Sequence, residues 1–113
     1  MKSKIYFIDI NTQNQIKKFI YGIYNCRAVI TDSYHGTIFS IIFNKPFISS
    51  VDGEKGRERF NTLKEVFGLK DRIFNLNSIP NISLLKTPLN FKKNLLTPLK
   101  KQSIDFLKKN LNS

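Results

Sequence analysis

Apolar and polar positions along this chain change period several times, and each change predicts an element. Ile5-Tyr6-Phe7-Ile8-Asp9 is β-branched and aromatic without helical spacing, which predicts a strand. Ile16, Phe19, Ile20 and Ile23 then fall at i, i+3, i+4 and i+7. That is the stripe of an amphipathic helix with Lys17 and Lys18 facing water, and Asn11 or Thr12 suits its cap. Residues 27 to 31 predict a second strand. From about Thr37 to Phe43, the residues Ile38, Phe39, Ile41, Ile42 and Phe43 put apolar groups on every side of a helix, so this helix is expected to be buried. Asn44 suits a left-handed residue after its end, and Pro46 blocks continuation.

A third strand is expected from Phe47 to Val51, running into the turn-rich loop Asp52-Gly53-Glu54-Lys55-Gly56. Phe60, Leu63, Val66 and Phe67 form another helical stripe, closed by Gly68 with Leu69 as the apolar contact that follows a glycine cap. Arg72 to Leu76 predicts a short fourth strand. Residues 77–97, with Pro80 and Pro88, read as an irregular connection. A closing helix spans 98–111, with Ile104, Phe106, Leu107 and Leu111 expected inward and Lys100, Lys101, Lys108 and Lys109 solvated. The alternation implies an α/β fold: a Rossmann-like parallel sheet with right-handed crossovers, flanked by helices on both faces. At 113 residues one domain is expected, with its α/β core at 1–76.

Composition narrows the function class only in part. Hydrophobic residues at 41%, with ten Phe, exceed what a disordered chain carries. A formal charge of +11 favours anionic partners: phosphorylated metabolites, acidic glycans, nucleic acid or a membrane surface. Fifteen of the nineteen cations are Lys, a bias that an AT-rich genome also produces, so the four Arg carry more weight for their bidentate fork. With Cys26 and His35 each the sole residue of its type, neither a disulfide framework nor a metal site is expected. The N-terminal apolar run is too short for a signal peptide, and no stretch reaches membrane-spanning length. The expectation is a cytoplasmic protein whose basic face suits peripheral proximity to a membrane.

The densest chemistry lies in Thr31-Asp32-Ser33-Tyr34-His35-Gly36-Thr37, where a strand breaks and a helix starts. Backbone N–H groups and the positive end of the helix dipole there suit a phosphate or carboxylate. Ser33 and Thr37 can donate hydroxyls, Gly36 allows close backbone approach, and His35 titrates near neutrality in its unperturbed state. A purely structural reading stands beside this one, with Asp32 or Ser33 as a helix cap and His35 as a hydrogen-bonded edge residue. In a parallel sheet the turn after strand two and the loop after strand three open on one edge. His35 is therefore expected to face Arg57 and Arg59 across a crevice.

Thr31 to Thr37, followed by Phe39-Ser40-Ile41-Ile42-Phe43-Asn44-Lys45-Pro46-Phe47, resembles the C-terminal portion of the polysaccharide pyruvyltransferase family. The later pattern met by Arg59, Leu63, Gly68, Leu69 and Arg72 is similar too, as is a closing helix with Ser103 and Leu107. The resemblance implies transfer of a pyruvyl group from phosphoenolpyruvate to a hydroxyl pair of a sugar in a surface polysaccharide, forming a ketal. It implies half of a GT-B-like two-domain enzyme, with the site between the halves and no cofactor beyond the donor substrate. His35 would bind the donor or carry a proton, and Arg59 and Arg57 would hold the donor's phosphate or carboxylate. Ser33, Gly36 and Thr37 would complete the substrate-binding turn. Family members are several times longer, so the expectation is a fragment lacking the N-terminal half, with that half on another chain or missing. Two other classes stand as alternatives. One is a GT-B-type glycosyltransferase half that binds a nucleotide-sugar; the other is a basic nucleic-acid-binding module using residues 86–109 with Phe91 and Phe106. The second lacks any recognised binding motif, and no specific nucleic acid is expected.

Overall fold

The computed structural model describes residues 5–8, 16–51, 57–75 and 80–111. Four strands, β1 (Ile5–Ile8), β2 (Ala28–Thr31), β3 (Phe47–Val51) and β4 (Ile73–Asn75), form one parallel sheet in the order β1-β2-β3-β4. Helix α1 (Ile16–Asn25) joins β1 to β2, α2 (Tyr34–Ile42) joins β2 to β3, and α3 (Arg57–Phe67) joins β3 to β4. Helix α4 (Leu96–Leu111) follows two short 3₁₀ turns, Ile82–Lys86 and Lys93–Leu95. The Asn11 or Thr12 cap, the loop 52–56 and the inward placement of Leu111 lie outside the described residues.

Strand order corrects the expectation of helices on both faces. Crossovers of one hand that always step to the next strand in the same direction must all lie on one side of the sheet. Alternating strand residues confirm it. Val29, Phe47, Val51 and Ile73 share a core with Phe19 and Ile23 of α1, Ile38 and Ile41 of α2, Phe60, Leu63 and Phe67 of α3, and Leu99 of α4. The opposite side chains, Ala28 and Ile48, with Ile30 and Phe74 half-buried, pack with Leu84 and Leu85 of the first 3₁₀ turn.

That turn is held by Arg72. The guanidinium is buried, and it donates to the carbonyl oxygens of Phe47 (3.1 Å), Leu84 (2.9 Å), Thr87 (2.6 Å) and Pro88 (3.3 Å). Burial pulls its pKa below the ordinary value, but a guanidinium stays charged. Four carbonyl dipoles therefore take the place of a counter-ion, and they tie residues 84–88 to the middle of the sheet.

Helix ends follow the expected rules. Asn44 has φ 55° and Gly68 φ 66°, both left-handed, and Leu69 is buried behind the glycine. Two apolar side chains depart from the expected stripes, with Val66 45% and Ile104 52% exposed. The inward line of α3 runs Phe60, Leu63, Phe67, and that of α4 runs through Leu99 and Ser103. Ser103 can occupy a core position because its hydroxyl donates to the Leu99 carbonyl at 2.8 Å, which turns Ile104 outward.

Candidate functional site

Helix α2 begins at Tyr34, three residues before the expected start, because Ser33 caps it. The Ser33 hydroxyl accepts from the Gly36 N–H at 3.1 Å, and the Ser33 N–H donates to Thr31 Oγ1 at 3.0 Å. Thr37 is fully buried; its hydroxyl meets the Ser33 carbonyl at 2.9 Å and Ser49 Oγ at 2.8 Å, fastening α2 to β3. Gly36 answers to packing, since a Cβ there would stand 2.5 Å from Thr31 Oγ1 and 3.2 Å from Thr31 Cβ. Ser33, Gly36 and Thr37 thus build the junction between sheet and helix.

Tyr34 and His35 point the other way. His35 stacks on Phe106 of α4, with centroids 3.7 Å apart and planes 22° from parallel. Tyr34 packs edge-on against both His35 (5.6 Å) and Phe60 (5.5 Å) and donates its hydroxyl to Gln102 Oε1 at 3.1 Å. Arg59 lies over the Tyr34 ring at 4.2 Å, a cation–π contact that holds its guanidinium beside the imidazole. These residues, with Thr62, Asp105 and Lys109, line an open depression of about 580 Å³ at the carboxyl edge of the sheet.

Electrostatics follow from that placement. Burial first, and the neighbouring Arg59 charge second, lower the His35 pKa from 6.5 to about 4, so the imidazole is neutral at pH 7. Burial raises the Tyr34 phenol, and Arg59 opposes the rise. No hydrogen bond among the described residues engages the His35 ring, and no ion pair among them engages Arg59. The site therefore offers a neutral imidazole beside a cation. Such a pair can receive an anion at the guanidinium and a proton at the ring.

Arg57 is not brought to His35. It lines a second depression with Val51, Phe60, Asn61, Lys64, Phe74 and Asn75, because positions 57 and 59 project from different sides of α3. Sequence reasoning missed the contribution of α4, placing Phe106 in the core, Lys109 in solvent, and Gln102 and Asp105 nowhere. Their spacing of i, i+3, i+4 and i+7 marks one helix face, but nothing in the spacing says that the face covers His35. Among the described residues no group of three or more His, Cys, Asp and Glu is placed to hold a metal ion.

Residues 1–52 match the family model for polysaccharide pyruvyl transferase. The pyruvyl transferase match takes in β1 to β3 and the whole motif from Thr31 to Thr37, while Arg59 and α4 lie beyond it. No curated protein and no solved structure matches the chain. No helix among the described residues is long and apolar enough to cross a membrane.

Proposed function

We propose that the chain is a polysaccharide pyruvyltransferase domain, one half of a GT-B-like enzyme, that holds phosphoenolpyruvate at His35 and Arg59. The observation that carries this reading is the neutral, stacked imidazole beside a guanidinium that has no ion pair among the described residues, in a turn where Thr31, Ser33 and Thr37 are engaged in joining helix to sheet. Arg59 would pair with the donor's phosphate or carboxylate, which takes such a fork in two parallel hydrogen bonds. A neutral His35 suits the acceptance of a proton from an attacking sugar hydroxyl better than the donation of one from its resting state.

The reaction balances on those terms. Two sugar hydroxyls form two C–O bonds to the donor's C2, while the C2–O bond to phosphate and the C2=C3 π bond break. One hydroxyl proton ends on C3, turning methylene into methyl, and the other leaves with phosphate. His35 would carry the proton bound for C3. An anion bound beside the ring would raise its pKa and help it hold that proton in transit.

The chain's single imidazole makes the test direct. Phosphoenolpyruvate titrated into the protein while the His35 ring signals are followed by NMR should raise the ring's pKa from about 4, and Arg59→Gln should weaken the effect. A ring that stays unperturbed at saturating donor removes His35 and Arg59 from the donor site.

A further inference from the structure

The depression that Arg57 lines lies on the opposite flank of α3 from His35, and its chemistry is different. Arg57, Asn61 and Lys64 stand at i, i+4 and i+7 on one side of the helix, facing Asn75 at the carboxyl end of β4. Val51, Phe60 and Phe74 form its apolar wall. The cavity measures about 250 Å³. Among the described residues it gathers two cations and two carboxamides without a carboxylate. The side chains of Arg57, Asn61 and Lys64 have no hydrogen bond or ion pair among those residues.

The geometry points to a binding site for a sugar phosphate, with the phosphate between Arg57 and Lys64 and the sugar hydroxyls on Asn61 and Asn75. Charge selects phosphate over carboxylate. A phosphate monoester carries about −1.5 to −2 at pH 7, which matches the two cations of the lining, whereas a carboxylate carries half of that. A guanidinium can take two phosphate oxygens in parallel and an ammonium can approach a third, so the pair can hold one phosphate from two sides. Carboxamides present both donor and acceptor groups, which is what a hydroxyl requires, and the half-buried Phe74 ring offers a flat apolar face to the C–H side of a sugar. The volume lies below the usual range for whole ligands of about 300–1,000 Å³, so the pocket suits one phosphorylated sugar unit and not a long chain.

Phe60 links the two flanks. It lines this pocket and packs edge-on against Tyr34 of the other site at 5.5 Å. Calling the bound sugar the acceptor rests on the pyruvyl-transfer reading; the affinity itself does not.

The test is NMR titration of the whole protein with glucose 1-phosphate, inorganic phosphate and methyl glucoside, following the side-chain amide signals of Asn61 and Asn75 and the ring signals of His35. Glucose 1-phosphate should shift the amides and bind more tightly than the other two probes. The double substitution of Arg57→Ala with Lys64→Ala should weaken it at least about tenfold, with thermal stability unchanged because both side chains lie at the surface of α3. Amides that stay unshifted, equal affinity for inorganic phosphate, or undiminished binding in the double variant would overturn the site. If that variant loses stability, Arg57→Gln and Lys64→Gln singly carry the same test. Phosphoenolpyruvate in a separate titration keeps the two readings apart. A shifted amide pair with an unresponsive His35 supports this pocket while refuting the donor site, and the reverse result refutes the pocket alone.

Discussion

Arg59 and Arg72 are the same residue put to opposite uses. Arg59 is exposed, lies over the Tyr34 ring and has no ion-pair partner among the described residues. Arg72 is buried and spends its donors on four backbone carbonyls. What separates them is where their neighbours find partners. Around Arg72 a loop of carbonyls would otherwise be orphaned against the uncovered side of the sheet. Around Arg59 no backbone carbonyl accepts from its guanidinium among the described residues, and its contact is the Tyr34 ring. A cation that completes a backbone serves the fold, and one that remains free is the better candidate for chemistry.

That contrast breaks most readily at Arg72. Arg72→Met keeps the bulk but strands four acceptors, and should cost about 3 kcal/mol or more in chemical denaturation, with Arg72→Lys recovering only part. Equal stability of the methionine variant would mean that water satisfies the loop and that the buried guanidinium is dispensable.

Gly36→Ala comes next, on the boundary between the two regions. The added methyl meets Thr31 Oγ1 at 2.5 Å, and that oxygen cannot retreat without losing the Ser33 N–H. A loss of about 1–3 kcal/mol is expected, and combining it with Thr31→Ala should cost less than the sum of the two single changes. Additive losses would show that the contact is relieved elsewhere.

The smallest effect sharpens the Arg59 side. Because the folded His35 pKa lies below the unfolded value of 6.5, the unfolded chain binds more protons between those limits. The stability that His35 contributes is full above 6.5 and is lost as pH falls toward about 4. Discounted for the ring's partial exposure to screening solvent, the loss is about 1 kcal/mol, and it should vanish from the acid slope in His35→Gln. Arg59→Gln should raise the His35 pKa and leave stability at pH 7 nearly unchanged. A ring that titrates near 6.5 in the unaltered protein would remove the neutral-imidazole site.

Much of this architecture was legible in the sequence, for identifiable reasons. The strands at 28–31 and 47–51 are short β-branched and aromatic runs bounded by turn residues, and Asn44, Gly68 and Leu69 announce their helix ends by conformational preference. Local rules reach no further than neighbouring turns. Whether successive crossovers lie on one face or two depends on strand order, which no periodicity encodes. Val66 and Ile104 misled because apolar character sets a preference for burial without fixing which side of a helix finds a partner. At the site, His35 stood out as the only histidine and Arg59 as one of few arginines. The separation of Arg57 from Arg59 followed from their spacing of two on a helix, a geometric fact that expecting a shared crevice overrode.

Strand order also bears on how the molecule assembles. Every strand pairs with its neighbour in sequence, as in Ile5 with Ala28, Val29 with Phe47 and Ser49 with Ile73, so no pairing has to wait for a distant part of the chain. Each loop closed along the way is short, its entropic penalty is modest, and the sheet can grow by one β-α unit at a time like a zipper. A parallel sheet of this kind escapes much of the kinetic handicap that long-range strand pairing usually imposes.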